Sequence, residues 1–138
     1  MKNLLYLFAF LLLISCQEKD ATPNVPVDDT FDPATATLIK QGMLISVVHT
    51  VSGTATIYDS NGKKILLLDP FSTDNGPDLK VYLSKTESAS SYIKLDKLKS
   101  TVGKQSYTIP DGTNLSEYNY VHIWCEQFSV DFGHAELK

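Results

Sequence analysis

From residue 37 onward the apolar residues come in alternation or in short runs cut by turn signals, and nowhere do they form a sustained helical stripe. Gly53, Ala55 and Ile57 alternate with Thr54, Thr56 and Tyr58, and Asp59-Ser60-Asn61-Gly62 follows. Asn-Gly tolerates positive φ at both central positions of a tight hairpin turn. The return strand spans residues 63–68, where Ile65-Leu66-Leu67-Leu68 predicts burial on both faces. Strands are also predicted over residues 43–51, 79–83, 92–95, 105–109, 119–126, 128–132 and 134–137. A loop is predicted at 70–78, and one helical turn, capped by Asn114, at 114–118. Many short strands between turn signals define an all-β chain, a single antiparallel β-sandwich or barrel-like domain over residues 37–138.

The first residues read differently. Lys2 precedes an uncharged apolar run over residues 4–14, which is shorter than the roughly 20 residues a membrane-spanning helix needs. A basic start, a short apolar core and a small residue before the break are the marks of a secretory signal peptide. Leu13-Ile14-Ser15-Cys16 resembles a bacterial lipobox. On that resemblance residues 1–15 are removed and Cys16 becomes an acylated N-terminus, whose buried methylenes hold the protein on a membrane. Gln17 stands where an aspartate would argue for inner-membrane retention, so the expected address is the outer membrane of a bacterial envelope. The cluster Gln17-Glu18-Lys19-Asp20 resembles the surface-export signals of such lipoproteins. Residues 16–36, with Pro23, Pro26 and Pro33, bury little apolar surface and are expected to form a flexible tether, part of which docks through Phe31. A net charge of −4 excludes the basic footprint that nucleic acid requires.

Once Cys16 is acylated, Cys125 is the one remaining thiol. In a strand, Val121, Ile123 and Cys125 share one face, and His122 and Trp124 the other. Free cysteine is among the most buried residue types, so Cys125 is either a small core residue or a redox thiol, a metal or haem ligand, or a site of intermolecular disulfide formation. His49, His122 and His134 show no ligand spacing with each other or with Cys125 and read as strand-end or surface histidines. A haem held by Met43 and a histidine has no motif behind it. Asp69, Asp74 and Asp78 lack the register of a calcium loop, and Gly76 and Pro77 read as shaping a turn with Asp78. An enzyme using a metal at the Asp78 loop is the weakest of the readings. Hydrolase elbows, phosphate loops and dinucleotide fingerprints are absent.

Several blocks, taken in order, resemble the DM13 domain. They are Gly53-Thr54-Ala55, Phe71, Gly76-Pro77-Asp78 before Val81-Tyr82-Leu83, Leu95 and Leu98 before Gly103, and Gln105-x-Tyr107-x-Ile109-Pro110. Tyr118, Val121-x-Ile123-Trp124-Cys125 and Phe128-x-Val130-x-Phe132-Gly133-x-Ala135-x-Leu137 complete the series. The resemblance implies a β-rich extracellular module, found beside DOMON domains and membrane cytochromes, that acts in electron transfer. It implies that the family cysteine, here Cys125, is the redox or haem-linked group, and that Gly76, Pro77 and Asp78 form the accompanying loop. Tyr82 and Trp124 lie within the same blocks and are candidates to meet a ligand. A single thiol has no internal disulfide partner, so the implied function needs a redox protein partner or a bound cofactor. The competing expectation is a non-catalytic lipoprotein binding module with Cys125 in its core.

Overall fold

The structure, a computed structural model, describes residues 21–138. The expected signal peptide, Cys16 and residues 17–20 lie outside the described residues. The strands are β1 (Val27–Asp28), β2 (Thr37–Met43), β3 (Ile45–Ser46), β4 (Val51–Ser60), β5 (Lys63–Thr73), β6 (Leu79–Ser84), β7 (Tyr92–Lys97), β8 (Gly103–Thr108), β9 (Tyr120–Cys125) and β10 (Val130–Glu136). They form two five-stranded sheets, ordered β1-β8-β5-β4-β2 and β3-β10-β9-β6-β7. The fold is all-β and sandwich-like. All pairings are antiparallel except β1 against β8.

The alternation in the sequence becomes the core. Ile57 from β4, Leu66 and Leu68 from β5, Leu83 from β6, and Val121 and Ile123 from β9 are fully buried between the sheets. Each such side chain contributes roughly 1.5–3 kcal/mol over its exposed state. The β4–β5 hairpin turns through Asn61 at φ 53° and Gly62 at φ 84°, as the Asn-Gly pair requires, and the Asp59 carboxylate accepts from the Gly62 amide at 2.8 Å. Leu67, on the opposite face of β5, is also buried, so the four-residue apolar run is covered on both sides.

Four local expectations change. Residues 43–51 are not one strand: β2 ends at Met43 in the first sheet and β3 lies in the second, so this segment carries the chain across the sandwich. The crossing is held by Ser46, whose hydroxyl oxygen accepts from the Val51 amide at 2.9 Å and donates to the Val51 carbonyl at 3.1 Å. The predicted loop at 70–78 begins late, because β5 continues through Pro70 to Thr73. Residues 114–118 form turns, with the Asn114 side chain accepting from the Ser116 amide, and no helix. The two last predicted strands are one, β10, interrupted by a bulge between Asp131 and Gly133.

The proline-containing stretch lies against the domain from Ala21 on. Proline lacks an N–H but keeps its carbonyl, and here the Pro23 carbonyl accepts from the Thr101 amide at 2.8 Å and the Val25 carbonyl from the Ser100 hydroxyl at 2.7 Å. Thr22 donates to the Gly76 carbonyl, and β1 pairs with β8. That pairing needs Gly103: a Cβ there would lie 2.1 Å from the Val27 carbonyl oxygen, and its φ is 106°. Phe31 packs on Tyr58 with ring centroids 5.7 Å apart.

Asp29 fastens the segment. Its carboxylate accepts from the Ser106 amide and hydroxyl at 3.2 and 2.9 Å, from the Phe31 amide at 3.1 Å, and pairs with the Lys99 ammonium at 2.8 Å. Burial acts to raise its pKa, but the Lys99 ammonium and the three hydrogen bonds outweigh burial and hold the carboxyl well below its ordinary value. Asp29→Ala is therefore expected to cost about 1–3 kcal/mol in urea unfolding at neutral pH. Because the folded pKa is depressed, this contribution is fully present above the ordinary value of 3.8 and is lost as the pH falls below it. The wild-type and variant stability curves should converge in acid.

Candidate functional site

The second sheet has two chemically distinct faces near β9. Toward the core, Cys125 is 1% exposed and sits at the end of the row Val121, Ile123, Cys125. Its thiol donates to the Pro77 carbonyl at 3.1 Å. Cys125 also borders a cavity of about 290 Å³ whose other walls include His49, Gly76, Pro77, Phe128 and Phe132. The His49 and Phe132 rings, both lining it, pack on each other with centroids 3.9 Å apart. Gly76 and Pro77 thus stand beside the sulfur.

Asp78 does not. It takes φ 57° and turns its carboxylate to the ammonium of Lys80, which is buried and also lies 3.9 Å from Glu126. The Lys80 ammonium is the main reason the Asp78 carboxyl is held below its usual range. Glu126 is held down chiefly by the Lys94 ammonium and also by the Tyr82 hydroxyl, which donates to it at 2.7 Å. Burial first, and then the Glu126 carboxylate, pushes the Tyr82 phenol far up. Asp69, Asp74 and Asp78 do not gather into a cation site: Asp74 accepts from the Thr50 amide and lies 3.7 Å from the His49 ring nitrogen.

The outward face carries what the sequence reading missed. Tyr82 on β6 and Trp124 on β9 point outward, and Tyr92 stacks on Tyr82 at 4.1 Å with Trp124 on its other side at 5.8 Å. The row continues edge-on from Trp124 to His122 at 6.5 Å, and His134 follows at 5.2 Å. His122 is fully buried and His134 is 6% exposed, so neither is the surface or strand-end histidine expected. Both rings place Nδ1 2.9 Å from one carboxylate oxygen, Oδ2 of Asp131. Among the described residues this is the group of histidine, cysteine and carboxylate side chains whose ligand atoms converge, all within 4.8 Å of one another.

A regular strand would put Asp131 and His134, three residues apart, on opposite faces. The β10 bulge adds one residue between them and brings both to the outer face, opposite Trp124 and His122 of β9. Only His122 was readable as outward-facing from its strand position. The polar stretch after β6 then folds over the rings and makes an outer surface position a buried one: the Thr86 carbonyl and the Ser84 hydroxyl meet His122 Nε2 at 3.3 and 2.8 Å.

A haem bound through Cys125 does not fit this arrangement. The cavity beside it is at the lower limit of small-ligand pockets, too small for a macrocycle, and the thiol is committed to Pro77. Met43 and His134 border one cavity, but at about 300 Å³ it fails for the same reason.

Fold and site together define a small β-sandwich module with one buried thiol on its core side and a histidine–carboxylate cluster on its outer side. The sequence model of the family described as "Electron transfer DM13" matches residues 43–137, more than half of the chain, and the chain belongs to that family. No curated protein and no solved structure matches it.

Proposed function

We propose that this chain is an exported, lipid-anchored electron-transfer accessory, held to the outer membrane through acylated Cys16, in which Cys125 is the redox group. The observation that supports it is the placement of Cys125 at a cavity walled by the family's Gly76-Pro77 loop, in a domain of the electron-transfer family. Among the described residues Cys125 is the only cysteine. On this reading its thiolate attacks a disulfide of a separate protein, forming a mixed disulfide and releasing the partner's other sulfur as a thiol, with the partner segment entering between Phe128 and Pro77. Phe128, 63% exposed, is the apolar lip of that entrance.

The burial of Cys125 favours a second reading, a binding module in which the thiol only fills the core. Maleimide labelling of the full, membrane-extracted chain separates the two. On the redox reading Cys125 labels in the native state, slowly but well ahead of global unfolding, and Cys125→Ser abolishes both the labelling and electron exchange with the partner. A thiol that labels only on denaturation overturns redox use. Cys125→Ala would then cost about 1–3 kcal/mol, as core truncations do, with partner binding intact. The anchor is tested separately: Cys16→Ser is expected to move the chain from the membrane fraction to the soluble one.

A further inference from the structure

We propose that His122, Asp131 and His134 form a binding site for one divalent transition-metal ion of the zinc or copper class. The site stands on its own geometry and does not depend on the role of Cys125.

Hydrogen-bond accounting carries the assignment. The Ser84 hydroxyl donates to the Thr86 carbonyl at 2.6 Å, which uses its only proton. The same oxygen lies 2.8 Å from His122 Nε2 and must therefore accept, which places the ring proton on Nε2. The tautomer follows from this network, and it leaves the Nδ1 lone pair aimed at Asp131 Oδ2, 2.9 Å away. His134 brings its Nδ1 to the same Asp131 oxygen at 2.9 Å, while its Nε2 lies 3.5 Å from the exposed Glu87 carboxylate without a hydrogen bond that fixes its tautomer. Lone pairs this close in a buried site are held together by a positive charge among them. Asp131 Oδ1 is also buried and has no hydrogen-bond partner, an orphan that a metal ion would satisfy.

The surroundings suit an ion, and the dimensions lie within a small adjustment of one. Bonds of about 2.0 Å in a tetrahedral site put ligand atoms about 3.3 Å apart, a few tenths beyond the separations from each Nδ1 to Asp131 Oδ2. Ligating histidines commonly hold the ring proton of the other nitrogen on a carbonyl or carboxylate; the Thr86 carbonyl lies 3.3 Å from His122 Nε2, and the Glu87 carboxylate is within 3.5 Å of His134 Nε2. A cavity of about 660 Å³ opens over Asp131 and His134, bordered by Val47, Glu87 and Trp124, and gives an entry path and an open coordination position. Two imidazoles and one carboxylate select zinc, copper or iron over magnesium and calcium, which take oxygen ligands.

The untagged full chain, stripped with chelator, is incubated with Zn²⁺ or, separately, Cu²⁺, desalted and assayed for bound metal. One ion per chain is expected with either probe, with a raised thermal midpoint and no competition from excess Mg²⁺ or Ca²⁺. The Cu²⁺ form should show paramagnetic-resonance couplings to two imidazole nitrogens. Asp131→Asn and His134→Gln should weaken binding at least about tenfold. Should either variant fail to fold, the wild-type copper spectrum alone decides. Failure to retain either ion, copper bound without nitrogen coupling, or variants that bind as the wild type would overturn the site and leave a proton-bridged triad. None of these results touches the labelling test of Cys125, so the two proposals fail separately.

Discussion

Gly133→Ala is expected to lower the unfolding free energy by about 3 kcal/mol, toward the upper end of what overpacking costs. The reason is steric and local. A Cβ on Gly133 would stand 2.5 Å from the Ile45 carbonyl oxygen and 2.8 Å from the Val51 side chain, distances that no rotamer change relieves on the backbone side. Gly133 pairs with Ser46 of β3 and with Ile123 of β9, so strands on both sides hold it in place. The strain falls where β10 carries its bulge, and the bulge is what brings Asp131 and His134 to one face. Equilibrium urea unfolding should show a lower midpoint at nearly unchanged slope. A variant within about 0.5 kcal/mol of wild type would mean that β3 moves away freely and that the close approach is incidental.

The same bulge explains which parts of this molecule were legible in the sequence. Alternation and Asn61-Gly62 are local signals, and they gave the β4–β5 hairpin, the two-sided burial of β5 and the two faces of β9. A bulge changes the phase of a strand by one residue without a local mark, so residues 128–137 read as two strands and nothing in their spacing puts Asp131 on the face of His134. The histidine cluster is non-local as well: His122 and His134 are cross-strand partners, and the cover over them comes from residues 84–87. No spacing along the chain encodes that meeting. The proline-containing segment was legible only at Phe31, which packs on Tyr58 as expected, and the rest was hidden for another reason. Apart from Phe31 it docks through carbonyl oxygens and one carboxylate, Asp29, onto partners some seventy residues away, and those contacts leave no apolar pattern to detect. Cys125 was legible as sharing a face with Val121 and Ile123, while the cavity beside it depends on the 75–77 loop and His49, which only the folded chain brings together.

Gln105→Leu is expected to cost about 3 kcal/mol or more despite replacing a polar residue in the interior with an apolar one of similar size. Gln105 is fully buried at the start of the Gln105-x-Tyr107-x-Ile109 row, whose three side chains share one buried face of β8 and the segment after it. Its Oε1 accepts from the Lys99 amide at 3.1 Å, the Ser100 amide at 3.3 Å and the Tyr107 hydroxyl at 2.6 Å, and its Nε2 donates to the Ser100 carbonyl at 3.0 Å. The side chain therefore serves as a hydrogen-bonding partner of Lys99 and Ser100, at the start of a turn whose later residues bond to β5 and β1. Burial pushes the Tyr107 phenol up, so it stays a neutral donor that needs this acceptor. Leucine would remove both partner atoms at once and leave the Ser100 amide, the Ser100 carbonyl and the Tyr107 hydroxyl proton to find water or go unpaired, each at about 1–3 kcal/mol if buried, while the Lys99 amide keeps the Tyr107 hydroxyl oxygen at 3.0 Å. Relaxation of the 99–103 turn toward solvent would recover part of that. It would also loosen the Ser100–Val25 and Thr101–Pro23 bonds that fix the N-terminal segment. Amide hydrogen exchange should accordingly accelerate at Thr101 and Val27 together with the fall in stability. A Gln105→Leu protein as stable as wild type, with Thr101 still protected, would show that the turn holds its shape without the buried amide.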